Sequence, residues 1–471
     1  MGFLAGSFWV IEMKDREIVI FLVIVVMFFQ FSNCPWVMEW RYVCVSGPVG
    51  RGGTGNVFIS GLSRDSLIGG RCGEEKIKVG PFSTYYMLIN ESGDYELDMD
   101  INDCMYECCI YINASNVVLD GKNHVLDGVR NESSKYGVYI NGDNVTIRNL
   151  IIEDWSVYAV VSNSSSYVNI YDCIIQNNGG GISADSSDGV KISGNTIEDN
   201  DVDGIDFYCL SGGLIFDNTI QNNGDDGIDI RYSGSITISN NVICENGFDG
   251  IYFYSTNDCR ISGNQIESNH RFGVYVGGSY YEIYNNTFSH DGIFFYDSSN
   301  NDVENNTVNG EPLIYLEGES NKKIDLEAGE IVMVDCRNMM VLGQNISKTD
   351  VGIELWNTSD ALITNCTLRE NNFYGLYLGF FSNNNTIREN TFQMDYCGIH
   401  LEYSHNNTIY LNNFIDNDDH YYIYKASENS FYSPKPLAYK YHGKKFTNYT
   451  GNYWSDYTGT DINLSLIHIS E

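Results

Sequence analysis

The chain has 471 residues, 43% of them hydrophobic, and a formal net charge of −35. That charge disfavours DNA, RNA and anionic membrane surfaces as partners, because like charges repel, and it admits cations and neutral glycans. The length and apolar content suffice for a long core, with Pro rare (6) and Tyr abundant (35).

Residues 1–35 read as a signal peptide or membrane anchor. In "MKDREIVIFLVIVVMFFQFSNC", residues 13–34, Lys14 and Arg16 precede an apolar run from Ile18 to Phe29. The run is short for a spanning helix, which needs about 20 apolar residues. Met13 is a candidate start. Export to the cell surface or medium is therefore expected, with membrane contact only through this segment if it stays uncleaved. Sequons such as Asn90, Asn113, Asn131 and Asn144 fit a glycoprotein, and thirteen Cys are compatible with disulfides outside the cell. Residues 36–76 contain "GPVGRGGTGN" and read as a poorly ordered lead-in. Residues 77–135 read as an N-terminal cap and first coils, with "NVVLDGKNHVLDG" as an early coil. The "CMYECC" cluster of Cys104, Cys108 and Cys109 reads as a disulfide or cap packing rather than a soft-metal site, since no His lies near it.

Residues 136–308 repeat. Gly or Ala recurs at Gly137, Ala159, Gly181, Gly204, Gly227, Gly250, Gly273 and Gly292, mostly 22–23 residues apart. A second column is Ile147, Ile170, Ile192, Ile215, Ile238, Ile261, Ile283 and Val303. Three residues further stand Leu150, Cys173, Asn195, Asn218, Asn241, Asn264, Asn286 and Asn306. A fixed period of this size marks a repeat architecture. Alternation within each repeat is that of a strand. Asn and Gly every few residues leave no room for helices of about ten residues. The expected fold is all-β: a right-handed parallel β-helix of 22–23-residue coils, with Ile/Val columns inside and stacked Asn at a turn. Cys173 and Cys366 replace Asn in that column and read as small buried hydrophobes. Residues 309–350 break the period as an irregular coil or insert. Coils resume over 351–429, at Gly352, Gly375 and Gly398. Residues 430–471 form a Tyr-rich tail whose character changes after Asn463, to "LSLIHISE", as a truncated reading frame would.

Four stretches carry a family resemblance: "SNVVLDGKNHVLDG", the G-I-x-x rungs with I-x-N-N-x-[IF], the linker "NGEPLIYLEG…IVMVDCRNMMV…VGIELW", and "GNYWSDYTGTD". Over residues 80–461 the chain resembles the NosD-like, carbohydrate-binding and sugar-hydrolysis (CASH) β-helix proteins of pectin-lyase-like fold, a type abundant on archaeal cell surfaces. The resemblance implies either copper delivery or work on sugars. Copper would want clustered His, Met or Cys. The eight His are scattered, with His400 and His405 the nearest pair, so a copper-handling role is the lesser expectation.

The candidate site lies where outward positions carry carboxylates on consecutive coils. Asp206 and Asp229 should stack as a candidate catalytic pair, with Asp185, Tyr208, Arg231, Tyr252 and Tyr254 as candidate ligand-binding residues around them. Asp203, Asp226 and Asp249, each just before a marker Gly, form a third acidic column and a candidate Ca²⁺ set. Rings can stack on sugar faces and carboxylates can bond hydroxyls. Two stacked carboxylates could serve a retaining hydrolase. A solvated Asp-Gly turn with a Tyr ladder explains the same residues. The reading is a secreted or surface carbohydrate-recognition protein needing no cofactor, its partners polysaccharides or surface glycans. A polysaccharide lyase or hydrolase, and a copper-handling accessory protein, are the alternatives.

Overall fold

The computed structural model describes residues 85–457 apart from 132, 442 and 443, and of residues 4–14, 17–27, 44–45 and 441 the backbone alone. Residues 1–78 form a unit of their own. There Leu4–Lys14 pairs antiparallel with Glu17–Met27, which also pairs with Cys44–Val45. The expected leader falls partly on these strands. Its remainder, most of the 36–76 lead-in and the tail beyond Tyr457 lie outside the described residues. No helix among the described residues is long and apolar enough to cross a membrane.

The second unit is a right-handed parallel β-helix. A typical turn runs Gly180–Asp185, Val190–Ser193, Thr196–Glu198. The next turn repeats it in parallel register as Ile205–Tyr208, Ser211–Phe216 and Thr219–Gln221. The Ile column holds: Ile147 pairs with Ile170, and the file continues through Ile192, Ile215, Ile238, Ile261 and Ile283 to Val303. The Ile members are fully buried.

Most markers are Gly because the coils approach closely there. A Cβ on Gly204, Gly227 or Gly273 would lie 2.7 Å from the carbonyl oxygen of the next marker along. The Asn column is a ladder of hydrogen bonds. Asn195 N–H and its Nδ2 both donate to Asn218 Oδ1, and the pattern repeats through Asn241, Asn264 and Asn286 to Asn306. Cys173 ends it, its amide on Asn195 Oδ1 and its thiol on Tyr171 O. A second ladder, which the sequence reading missed, runs from Asn178 through Asn200, Asn223, Asn246 and Asn269 to Asp291.

Regular pairing returns earlier than the sequence suggested. After Thr307–Val308 the chain reverses, and Glu311–Glu317 pairs antiparallel with it. The same strand starts a second stack, pairing in parallel with Glu330–Val334, which pairs with Val351–Trp356. The period is hidden in the sequence because the first coil here is short: Leu313 pairs with Glu330, 17 residues on. Most of the second stack buries a core of its own, while its Leu313, Val332, Val334, Val351, Trp356 and Tyr377 pack with the core of the first. At their junction, side chains replace a β-ladder. Amides of Gly273 and Gly292 donate to Asp350 Oδ2, that of Ile293 to Glu330, and that of Phe295 to Glu354. All three carboxyls are fully buried.

Candidate functional site

Strand pairing brings the candidate residues together. Asp206 lies opposite Asp229 and Tyr208 opposite Arg231, on Ile205–Tyr208 and Ile228–Arg231. The preceding coil sets Asp185 beside Tyr208, and the following one sets Tyr252 beside Asp229 and Tyr254 beside Arg231. Alternation places all seven on one face of the sheet.

Facing outward did not leave each of them in water. Asp229 is only 2% exposed, because Arg231 folds back over it. Arg231 Nε donates to Asp229 Oδ1 at 2.9 Å, and a second guanidinium N–H reaches Oδ2. Asp206 accepts the Tyr158 hydroxyl at 2.8 Å. Tyr158 reaches it from two coils away because Gly180 has no Cβ to collide with the ring. Tyr158 was not in the sequence-predicted set; the Gly180 gap beneath its ring is the signal that could have found it.

The third acidic column is a ladder, not a solvated turn. Asp203, Asp226 and Asp249 are buried. Asp203 Oδ1 accepts the Asp226 amide, Asp226 Oδ1 that of Asp249, and Asp249 Oδ1 that of Phe272. Burial, and then the neighbouring carboxyls, push Asp226 up to about 9. Burial pushes Asp249 up to about 7 against the opposing pull of Arg271, whose Nη1 lies 3.2 Å from Asp249 Oδ2. The expected grouping of these three as one cation set is not what the oxygens do. Asp203 converges with Asp206 and Asp229, their ligand atoms within 4.8 Å of one another, and separately with Asp225 and Asp226. Asp249 joins neither group.

Rings flank these carboxylates in one continuous file. Tyr208, Tyr232 and Tyr254 meet edge-on at 5.5 and 5.6 Å. Tyr252 stacks on Tyr254 and packs on Tyr275 at 5.0 Å. From Tyr275 the file passes to Phe294, crosses the junction to Trp356 and Tyr377, and ends on His400 and Tyr422. Phe294, Trp356 and Tyr377 are buried, while Tyr208, Tyr252 and Tyr254 are half-buried and Tyr422 is exposed. The two stacks thus share one aromatic face.

Chemically, Asp206 and Asp229 bring a carboxylate oxygen each within 4.8 Å, and a retaining glycosidase sets its two carboxyl groups roughly 5–5.5 Å apart. Asp229, shielded and clamped by a guanidinium, is built to hold position rather than to attack. The set can accept hydroxyl hydrogen bonds beside ring platforms, and three converging carboxylates suit a hard cation such as Ca²⁺.

Comparison with known proteins follows this division of the chain. Residues 97–243 and 210–327 match the right handed beta helix region. Residues 289–459 match the periplasmic copper-binding protein NosD. The chain carries a right-handed β-helix, of which residues 289–459 resemble NosD. Among solved structures it is similar to the A-module of Azotobacter vinelandii mannuronan C-5 epimerase AlgE4, at 14% identity and TM-score 0.34, covering 68% of this chain and 90% of that one. DFA-IIIase from Arthrobacter chlorophenolicus A6 gives 11% identity and TM-score 0.33, over 70% and 84%. Pectate lyase Pel9A gives 16% and 0.31, over 50% and 66%. With TM-scores below 0.5, these three bring no activity to this chain. No curated protein matches it.

The NosD name raises copper, and Cys336, Cys366, Cys397, His400, His405 and His420 in the matched segment do not fit it. Cys336, Cys366 and Cys397 are buried on separate coils, each thiol on a backbone carbonyl. His400 is wedged among Tyr374, Tyr377 and Tyr422, and burial lowers it to about 4. His405 Nδ1 is engaged by Ser427, and His420 Nε2 by Asp456. Among the described residues, the groups of three converging His, Cys, Asp or Glu consist of aspartates between 203 and 229 alone.

Proposed function

We propose that this protein is an extracytoplasmic carbohydrate-recognition module that holds a neutral polysaccharide along its aromatic face. The observation carrying this reading is the unbroken file of rings from Tyr208 to Tyr422, with Asp206, Asp229 and Arg231 beside its half-buried end. Tyr208, Tyr252 and Tyr254 offer faces to sugar rings; Asp206 and Asp185 accept hydroxyls. The periplasmic name of the matched family supports the location. Recognition is favoured over hydrolysis because Asp229 is clamped by Arg231. A Ca²⁺ ion shared by Asp203, Asp206 and Asp229 belongs to the same face.

The test is affinity electrophoresis of the full chain through gels holding neutral glucans, mannans or xylans, with reducing-end and unsaturated-product assays alongside. The parent is expected to be retarded by at least one polymer without product release. The double variant Tyr252→Ala/Tyr254→Ala should bind about tenfold more weakly, since each ring platform contributes roughly 0.5–1.5 kcal/mol beyond its buried area. Unchanged retardation of the variant would overturn the reading. Product release that Asp206→Asn abolishes would move it to a hydrolase or lyase.

A further inference from the structure

Basic side chains are distributed unevenly along the β-helix. Among the described residues, every Lys and Arg from Lys122 to Arg388, except Lys191, holds a carboxylate within 4.0 Å. Lys191 lies over the Phe216 ring. Beyond Arg388 the pattern stops. Among the described residues, Lys425, Lys435, Lys440, Lys444 and Lys445 make no ion pair, and all five are exposed. Residues 425–457 hold these five lysines against two acids, Glu428 and Asp456, in a chain whose net charge is −35.

Their placement is specific. The hairpin Leu437–Tyr441 with Lys444–Asn448 sets Lys440 directly opposite Lys445. Like charges face to face across an antiparallel pair are destabilising, and an anion between them removes the repulsion. Rings surround the cations. Tyr439 stacks on Phe446 at 5.5 Å, and the exposed Tyr432 and Tyr449 meet edge-on at 6.0 Å. The Lys425 ammonium sits 5.1 and 4.9 Å from the ring centres of Tyr403 and Tyr424.

We propose that the C-terminal end of the β-helix is a second carbohydrate surface, where Lys435, Lys440 and Lys445 seat the anionic groups of an acidic polysaccharide whose sugar rings lie on Tyr432 and Tyr449. It goes beyond the reading of the first face and stands without it. A sugar chain fits better than nucleic acid, because a duplex carries a charge every 1.7 Å or so and the acidic remainder of the molecule repels it. Carboxylated and sulfated polymers share the required chemistry.

The experiment measures binding of the full chain to immobilised polygalacturonate, dextran sulfate and uncharged dextran, at low and high salt. The parent is expected to bind one or both anionic polymers at low salt, to ignore dextran, and to release at high salt as exposed charges are screened. Which anionic polymer is held identifies the substituent. The triple variant K435Q/K440Q/K445Q should bind about tenfold more weakly, while K440R/K445R keeps the affinity. The melting temperature of K440R/K445R should match the parent, and that of the triple variant should not fall below it, because these side chains are exposed and the repulsion between Lys440 and Lys445 is gone. Tyr252→Ala/Tyr254→Ala should bind the anionic polymer as the parent does, which separates failure here from failure of the first face. Equal affinity of the triple variant, or parent binding to duplex DNA or phosphatidylglycerol vesicles as tight as to the polysaccharides, overturns the proposal.

Discussion

Replacing Asn241 with alanine is expected to lower the unfolding free energy by about 3–5 kcal/mol, read by urea denaturation. Asn241 stands mid-ladder. Its Oδ1 accepts the Asn218 amide and Asn218 Nδ2, each at 3.0 Å. Its Nδ2 donates to Ile215 O, Ser239 O and Asn264 Oδ1. Truncation orphans the Asn218 amide and removes a donor from two main-chain carbonyls, in a turn where Asn241 itself is 1% exposed. Each buried polar group left unpaired costs about 1–3 kcal/mol. Asn241→Asp is the informative partner. It keeps the acceptor that Asn218 needs and loses the donors, as Asp291 does at the end of the second ladder. It should therefore fall between the parent and alanine. A loss below about 1 kcal/mol for Asn241→Ala would show that water replaces these bonds and that the ladder is not what holds the turn.

The same ladder shows why so much of the fold was legible in the sequence. Gly204, Ile215 and Asn218 each meet one local requirement that every coil repeats: close approach, core packing and turn satisfaction. Three columns of period 22–23 therefore appear without knowledge of the rest. The second ladder was hidden because Asn223 and Asn246 precede Gly, where ordinary turn chemistry already accounts for them. The junction was illegible for a different reason. Glu330, Asp350 and Glu354 look like strand-flanking surface acids until chain reversal at Thr307–Val308 brings them onto the amides of residues 273–295. At the candidate site, alternation gave the right face for Asp206 and Asp229 and the right neighbours. It could not give exposure, which depends on how Arg231 folds back and how Tyr158 crosses Gly180. Local pattern fixes direction, whereas burial is set by contacts between coils.

The buried acids make a second large effect expected: the melting temperature should fall as pH rises from about 5 to 9. Burial holds Asp226 up at about 9 and Asp249 and Asp350 at about 7, and burial also raises Glu330 and Glu354. Unfolded, these groups titrate near 4. Between the two values the folded chain binds more protons, so their contribution is intact below about pH 4. It is lost progressively as pH rises through 7 for Asp249 and Asp350 and towards 9 for Asp226. At about 1.4 kcal/mol for each pH unit separating the two states, a group held at 7 costs at most about 4 kcal/mol at alkaline pH. Two substitutions divide the effect. Asp226→Asn keeps an oxygen for the Asp249 amide and removes the charge, so it should melt with the parent at pH 5 and above it at pH 9. Asp350 accepts the Gly273 and Gly292 amides on one oxygen and Asn372 Nδ2 on the other. Every partner is a donor, so Asp350→Asn turns an N–H₂ on at least one of them and should destabilise at every pH. Measurements belong in chelator, because a cation on Asp203, Asp225 and Asp226 would mimic the proton. A parent melting temperature that stays level or climbs from pH 5 to 9 would mean that water or ions reach these carboxyls, and that the acidic ladder is charged in the folded protein.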